Sequence, residues 1–181
     1  MSDILTAELA TLRERQGRDQ LDIVETGSIR NDTEPHRVGD GWSTLIFAQH
    51  VATHGGAFMA IDLDTTPAAR VLAREGVADA AALLTGDSVT MLSTLGRQGR
   101  TYDLLLLDSA DDPHLILEEF IVAEKIVRPG GTILIDDVAY HHTSYGSKGG
   151  AVLPYLRKTG RPFRVLTRWG GGANIDVIAV D

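Results

Sequence analysis

The stretch YDLLLLDSADD, Tyr102–Asp112, decides the fold class. Leu104 to Leu107 form an unbroken apolar run ending at Asp108. A strand that is apolar at successive positions buries both of its faces, which happens in a parallel sheet covered by helices on either side.

Working outward, strands and helices alternate. Towards the N-terminus, the weak alanine-rich strand Ala81–Leu84 precedes a helix from Ser88 to Leu95. Before them, strand Ala57–Ile61 leads to a helix that Pro67 opens and Gly76 closes. Earlier still, strand Leu21–Glu25 and helix Ser43–His54 follow an amphipathic helix over roughly residues 3–17. Towards the C-terminus, a helix from Pro113 to Val127 is expected to stop at Pro129-Gly130-Gly131, before strand Thr132–Ile135. A helix over Lys148–Lys158 and strands Phe163–Arg168 and Ile175–Val180 complete the chain. Gly170–Gly172 between the last two suggests a hairpin. The expectation is an α/β, doubly wound, Rossmann-like sheet of about seven strands, mostly parallel with a C-terminal antiparallel hairpin.

The 181 residues suit one domain. It divides into an N-terminal helix (1–19), a core (20–138) and a C-terminal helix and hairpin (139–181). Hydrophobic residues make up 43% and charged residues 23%, as in a water-exposed globular protein. The absence of cysteine removes disulfides, thiolate metal sites and a thiol nucleophile. It fits a reducing, cytoplasmic setting. No apolar run is long enough for a bilayer, and Met1–Arg18 lacks a signal-peptide core, so no membrane partner is expected. A net charge of −8 disfavours nucleic acid.

In such a sheet, ligands bind beyond the carboxyl ends of the strands. The residues there are Glu25-Thr26-Gly27-Ser28, Asp62-Leu63-Asp64, Gly86-Asp87-Ser88, Asp108 with Asp111 and Asp112, and Asp136-Asp137. One acid at a strand end is an ordinary cap. Acids after every parallel strand form an acidic cleft, unsuited to a pyrophosphate but suited to ribose hydroxyls, an amine or a sulfonium. The G-x-G-x-x-G turn of nucleotide-dependent dehydrogenases is missing.

Over most of its length this pattern resembles class I S-adenosylmethionine-dependent methyltransferases. Glu25-Thr26-Gly27 and Gly41-Trp42-Ser43-Thr44 resemble their first motif, Asp62 the ribose acid, Asp87 the position beside adenine, and Pro129-Gly130-Gly131 the turn before the fifth strand. The resemblance implies cofactor contacts from Glu25, Gly27, Ser28, Gly41, Ser43, Thr44, Asp62, Asp87, Ser88 and Asp108. It departs at Ile29–Asp40, an insertion within the usually compact glycine turn, which reads as a lid over cofactor or substrate.

Asp108, Asp136 and Asp137 are similar to the acidic ligands of metal-dependent O-methyltransferases. The Asp-Asp pair resembles the macrocin-type sugar enzymes, whereas catechol and caffeoyl types carry Asp-Asn. The resemblance implies Mg²⁺ or another divalent cation that holds a deprotonated hydroxyl. The macrocin-type general base falls on Ala110 here, which leaves Asp111, His141 or His142 as candidates. The expected activity is O-methylation of a small-molecule hydroxyl. A non-catalytic cofactor-binding module and a metal-independent methyltransferase are the alternatives. The Asn/Asp-Pro-Pro-aromatic signature of some amino-methylating enzymes is absent. Trp169 is a candidate hairpin anchor or dimer contact, so the sequence allows a homodimer.

Overall fold

Strand β4 (Tyr102–Leu107) is buried at every position. It pairs in parallel with β1 (Leu21–Thr26) on one side and β5 (Val127–Ile135) on the other. This computed structural model describes residues 1–34, 37, 42–139, 147–167 and 176–181. Beyond β1 lie β2 (Gly56–Asp62) and β3 (Ala82–Thr85), both parallel. With β6 (Arg164–Thr167) and β7 (Asp176–Val180), the seven-stranded order is β3-β2-β1-β4-β5-β7-β6. The chain builds outward from β1 in one direction and then from β4 in the other. Its topological switch point therefore lies between β1 and β4, where a ligand crevice opens in this architecture.

Alternation along β4 supplies two cores. Leu104 and Leu106 join Leu5, Leu9, Leu12 and Phe47 beneath α1 (Ser2–Gln16), α2 (Ser43–His54) and α3 (Thr66–Arg74). Leu105 and Leu107 join Leu92, Ile116, Phe120 and Val152 beneath α4 (Ser88–Arg97), α5 (Pro113–Ile126) and α6 (Gly149–Thr159). Each buried Leu contributes about 2 kcal/mol of transfer free energy. That is why the strand must be apolar on both faces.

The alanine-rich β3 is real. It is an edge strand, paired from Met59↔Ala82 to Asp62↔Thr85, and an edge needs little side-chain burial. At the other edge β7 (Asp176–Val180) lies antiparallel between β5 and β6 (Arg164–Thr167). The Gly170–Gly172 turn and Trp169 lie outside the described residues. Arg164 also clasps both oxygens of Glu8, at 2.9 and 2.8 Å, so the outermost strand is tied to α1.

The expected break at Pro129-Gly130-Gly131 is corrected. Helix α5 ends at Ile126, and β5 begins at once with Val127 opposite Tyr102. Pairing then jumps to Leu104↔Thr132, leaving Arg128–Gly131 as a bulge inside the strand. Proline lacks the N–H a ladder needs, and Gly130 adopts φ +75°. The bulge places Arg128 beside the buried Asp103 carboxylate, Nη1 to Oδ2 2.9 Å.

Candidate active site

Gly27 ends β1 at the switch point with φ +86°. A Cβ there would stand 2.4 Å from the Asp108 carbonyl oxygen. The glycine thus lets the ends of β1 and β4 come together, and its N–H is bonded to Ile61 O at 2.8 Å. Beyond these strand ends opens a cleft of about 130 Å³, bordered by Gly27, Ser28, Asp62, Asp108, Asp111 and Lys148.

The acids at its edge are not equivalent. Glu25 faces inward and is 1% exposed, accepting the Ser43 hydroxyl and, at 2.7 Å, the Thr44 hydroxyl. Burial pushes its carboxyl up to about 8, against the pull of those hydroxyls. Glu25, Ser43 and Thr44 therefore brace β1 against the start of α2. Asp62 accepts Ser28 Oγ at 2.8 Å and the Asp64 amide at 3.2 Å. Asp64 accepts the Thr66 amide at 2.9 Å and so serves the start of α3.

Asp87 caps α4, accepting the Thr90 amide at 2.8 Å, and the Thr90 side chain together with that amide holds its carboxyl below the usual range. Ser88 turns away to donate to Glu119. Glu119 is fully buried and also accepts Thr26 Oγ1 at 2.8 Å, and burial pushes its carboxyl up. A neighbouring recess of about 100 Å³ shares Gly27, Asp62 and Ala110 with the cleft, and adds Leu63, Asp87 and Leu115. Leu63 is 76% exposed, the one large apolar side chain so placed among the described residues.

Asp108, Asp136 and Asp137 each offer an oxygen within 4.8 Å of the other two. Such a donor set suits a hard cation. However, the Lys148 ammonium is ion-paired to Asp108 and stands 3.5 Å from Asp137 Oδ2 and 3.9 Å from Asp111 Oδ1. Burial alone would lower the Lys148 pKa, but Asp108 and Asp137 hold it above the usual lysine value. Burial raises Asp108, opposed by that same ammonium. The three carboxylates as arranged do not fit a divalent ion, because a cation of the chain already sits on two of them. Asp137 reaches this position through a left-handed backbone, φ 52°.

Asp111 stands on the cleft's border with its side chain 80% exposed. Gly41, His141 and His142 lie outside the described residues. The described part of the insertion lies against α3. Arg70 pairs with Asp32 at 3.3 Å, and Arg74 with Glu34 at 3.4 Å. Trp42 is 2% exposed, and the guanidinium carbons of Arg37 and Arg74 lie 5.4 and 5.5 Å from its ring.

Sequence reasoning missed Lys148, Glu119 and Leu63. Lys148 had a readable signal, being the sole Lys or Arg between Arg128 and Arg157. Leu63, apolar between two aspartates, was also conspicuous. Glu119 had none, since a helical Glu is ordinarily a solvated residue.

The fold is shared with solved methyltransferases. The O-methyltransferase TomG of Streptomyces achromogenes, involved in tomaymycin synthesis and solved with S-adenosylmethionine, superposes with a TM-score of 0.68 at 23% identity. That match covers 95% of this chain and 76% of TomG. An O-methyltransferase of Bacillus cereus, bound to S-adenosylhomocysteine, gives 0.69 at 20% identity, covering 95% and 78%. The precorrin-6y C5,15-methyltransferase of Geobacter metallireducens gives 0.63 at 12%, covering 95% and 86%. No curated protein sequence matches the chain. The family model described as a methyltransferase domain matches residues 37–138, more than half of the chain. With its switch-point cleft and seven-stranded order, the chain belongs to the methyltransferase domain family, on the class I fold.

Proposed function

We propose that the protein transfers a methyl group from S-adenosylmethionine to a hydroxyl of a small molecule. The observation that carries this reading is the cleft at Gly27, Asp62 and Asp108 continuing into the recess lined by Leu63 and Leu115. An acidic cleft joined to an apolar recess suits a nucleoside bearing a cation. Asp62 would accept the ribose hydroxyls, and Leu63 and Leu115 would cover the base beside Asp87. Glu25 acts indirectly by holding the start of α2. When bound, S-adenosylmethionine supplies a sulfonium methyl that passes to the acceptor oxygen, leaving S-adenosylhomocysteine.

Asp111 is the candidate acceptor of the hydroxyl proton, since its carboxylate is open to the cleft. His141 is the second candidate. Resemblance to metal-dependent O-methyltransferases and the open carboxylate support an oxygen acceptor. The shared fold alone does not, because the Geobacter metallireducens neighbour is named for methylation at carbon positions. A net charge of −8 and the acid-lined cleft favour a small, uncharged or cationic acceptor over nucleic acid. Among the described residues no helix is long and apolar enough to cross a membrane.

The test has two arms. Calorimetric titration with S-adenosylhomocysteine should show saturable binding. Isotope-labelled S-adenosylmethionine with a panel of phenols and sugars should yield an O-methyl product by mass spectrometry. A protein that binds no S-adenosylhomocysteine sinks the proposal.

A further inference from the structure

We propose that Lys148 is the resident cation of the acid cluster, holding by ion pairs the place that a divalent metal would otherwise take, so that methyl transfer here needs no metal. The inference rests on the methyl-transfer reading above but is tested apart from it. Its basis is geometric. Lys148 is buried, immediately precedes α6, and meets Asp108 and Asp137 from a different part of the chain. A buried ammonium needs paired acceptors, and three carboxylates crowded within 4.8 Å of one another need positive charge. Each requirement answers the other. Asp136, whose Oδ1 accepts the Asp137 amide at 2.8 Å, completes the cage. Arg30 also borders the cleft, so the chain supplies a second cation close by.

A divalent ion bound to Asp108 and Asp137 would have to displace this ammonium, leaving Lys148 buried without its carboxylates or forcing it into solvent. The residue is therefore a positioning residue for Asp108 and Asp137. Such a site takes an acceptor with a single hydroxyl as readily as a vicinal diol, since no metal chelate has to form.

The experiment is an electron paramagnetic resonance titration of Mn²⁺ into the full chain and three variants. Wild type should bind Mn²⁺ at least about tenfold more weakly than Lys148→Met, which uncovers the carboxylates without their cation. Adding Asp136→Asn and Asp137→Asn to Lys148→Met should abolish the gained site. Lys148→Arg keeps the charge and should remain as weak a binder as wild type. Tight Mn²⁺ binding by wild type, with no gain in Lys148→Met, overturns the inference, and the wild-type measurement does not depend on how any variant folds. Chelation should leave wild-type turnover unchanged, and loss of turnover restored by added metal overturns the inference equally. Failure of S-adenosylhomocysteine binding would instead strike the methyl-transfer reading, leaving the Mn²⁺ result standing.

Discussion

Thr44 donates its hydroxyl to Glu25 Oε2 at 2.7 Å, joining the end of β1 to the first turn of α2 inside the protein. Glu25 is held up to about 8, chiefly by burial, against an ordinary 4.5. Between those values the unfolded chain has lost this proton and the folded chain has kept it. Stability from this group is therefore fully present below about pH 4.5 and is lost as pH rises to 8. Glu25→Gln should flatten that slope. Urea unfolding of both proteins at pH 5, 6.5 and 8 checks it, and parallel slopes would count against the assignment.

Gly27→Ala should destabilise the fold by about 3 kcal/mol, combining a left-handed alanine with a backbone collision. The Cβ would meet the Asp108 carbonyl carbon at 2.9 Å as well as its oxygen, and neither is a flexible side-chain end. Chemical denaturation measures this. A loss below about 1 kcal/mol would mean the strand ends separate easily.

Asp62→Asn and Leu63→Ser should each weaken S-adenosylhomocysteine binding by about tenfold or more, through a lost charged acceptor and a lost apolar cover respectively. Melting temperatures should stay near wild type for Leu63→Ser, because that side chain is 76% exposed. Calorimetry separates the outcomes, and unchanged affinity in both variants would remove the recess from the cofactor site.

Asp103 lies near the start of β4, at the opposite end of the strand from Asp108, and is fully buried. It accepts from Arg18 at 2.6 Å, from Arg128 at 2.9 Å and from the Asp22 amide at 2.7 Å. Asp103→Ala should cost about 3 kcal/mol by leaving these donors unmatched. Cofactor affinity, measured well below the melting temperature, should not change. A large affinity loss in a folded variant would show coupling between the two ends of the sheet.

Leu104–Leu107 and the acids following each strand were legible because they obey local rules. An apolar run demands burial on both faces, and strand ends in this architecture face a ligand. The third strand was legible from rhythm, and the antiparallel C-terminal pairing from the glycine run Gly170–Gly172. The Pro129-Gly130-Gly131 segment was misread as a break because its pairing depends on Tyr102 and Leu104, residues of another strand. Glu25 was read as a ligand-facing acid by its position. Its inward turn depends on Ser43 and Thr44, which a helix start brings close.

By itself, the sequence determined that Tyr102–Leu107 is a central strand, that Asp108 stands at its end, and that the chain winds in alternating strands and helices. These follow from periodicity and hydrophobicity, which act between near neighbours. Only the tertiary structure decided what Asp108 meets. Lys148, 40 positions away, lies beside it because it precedes α6, the helix that packs against α5. The partner of a buried charge is set by which elements converge in space, and no local pattern encodes that convergence.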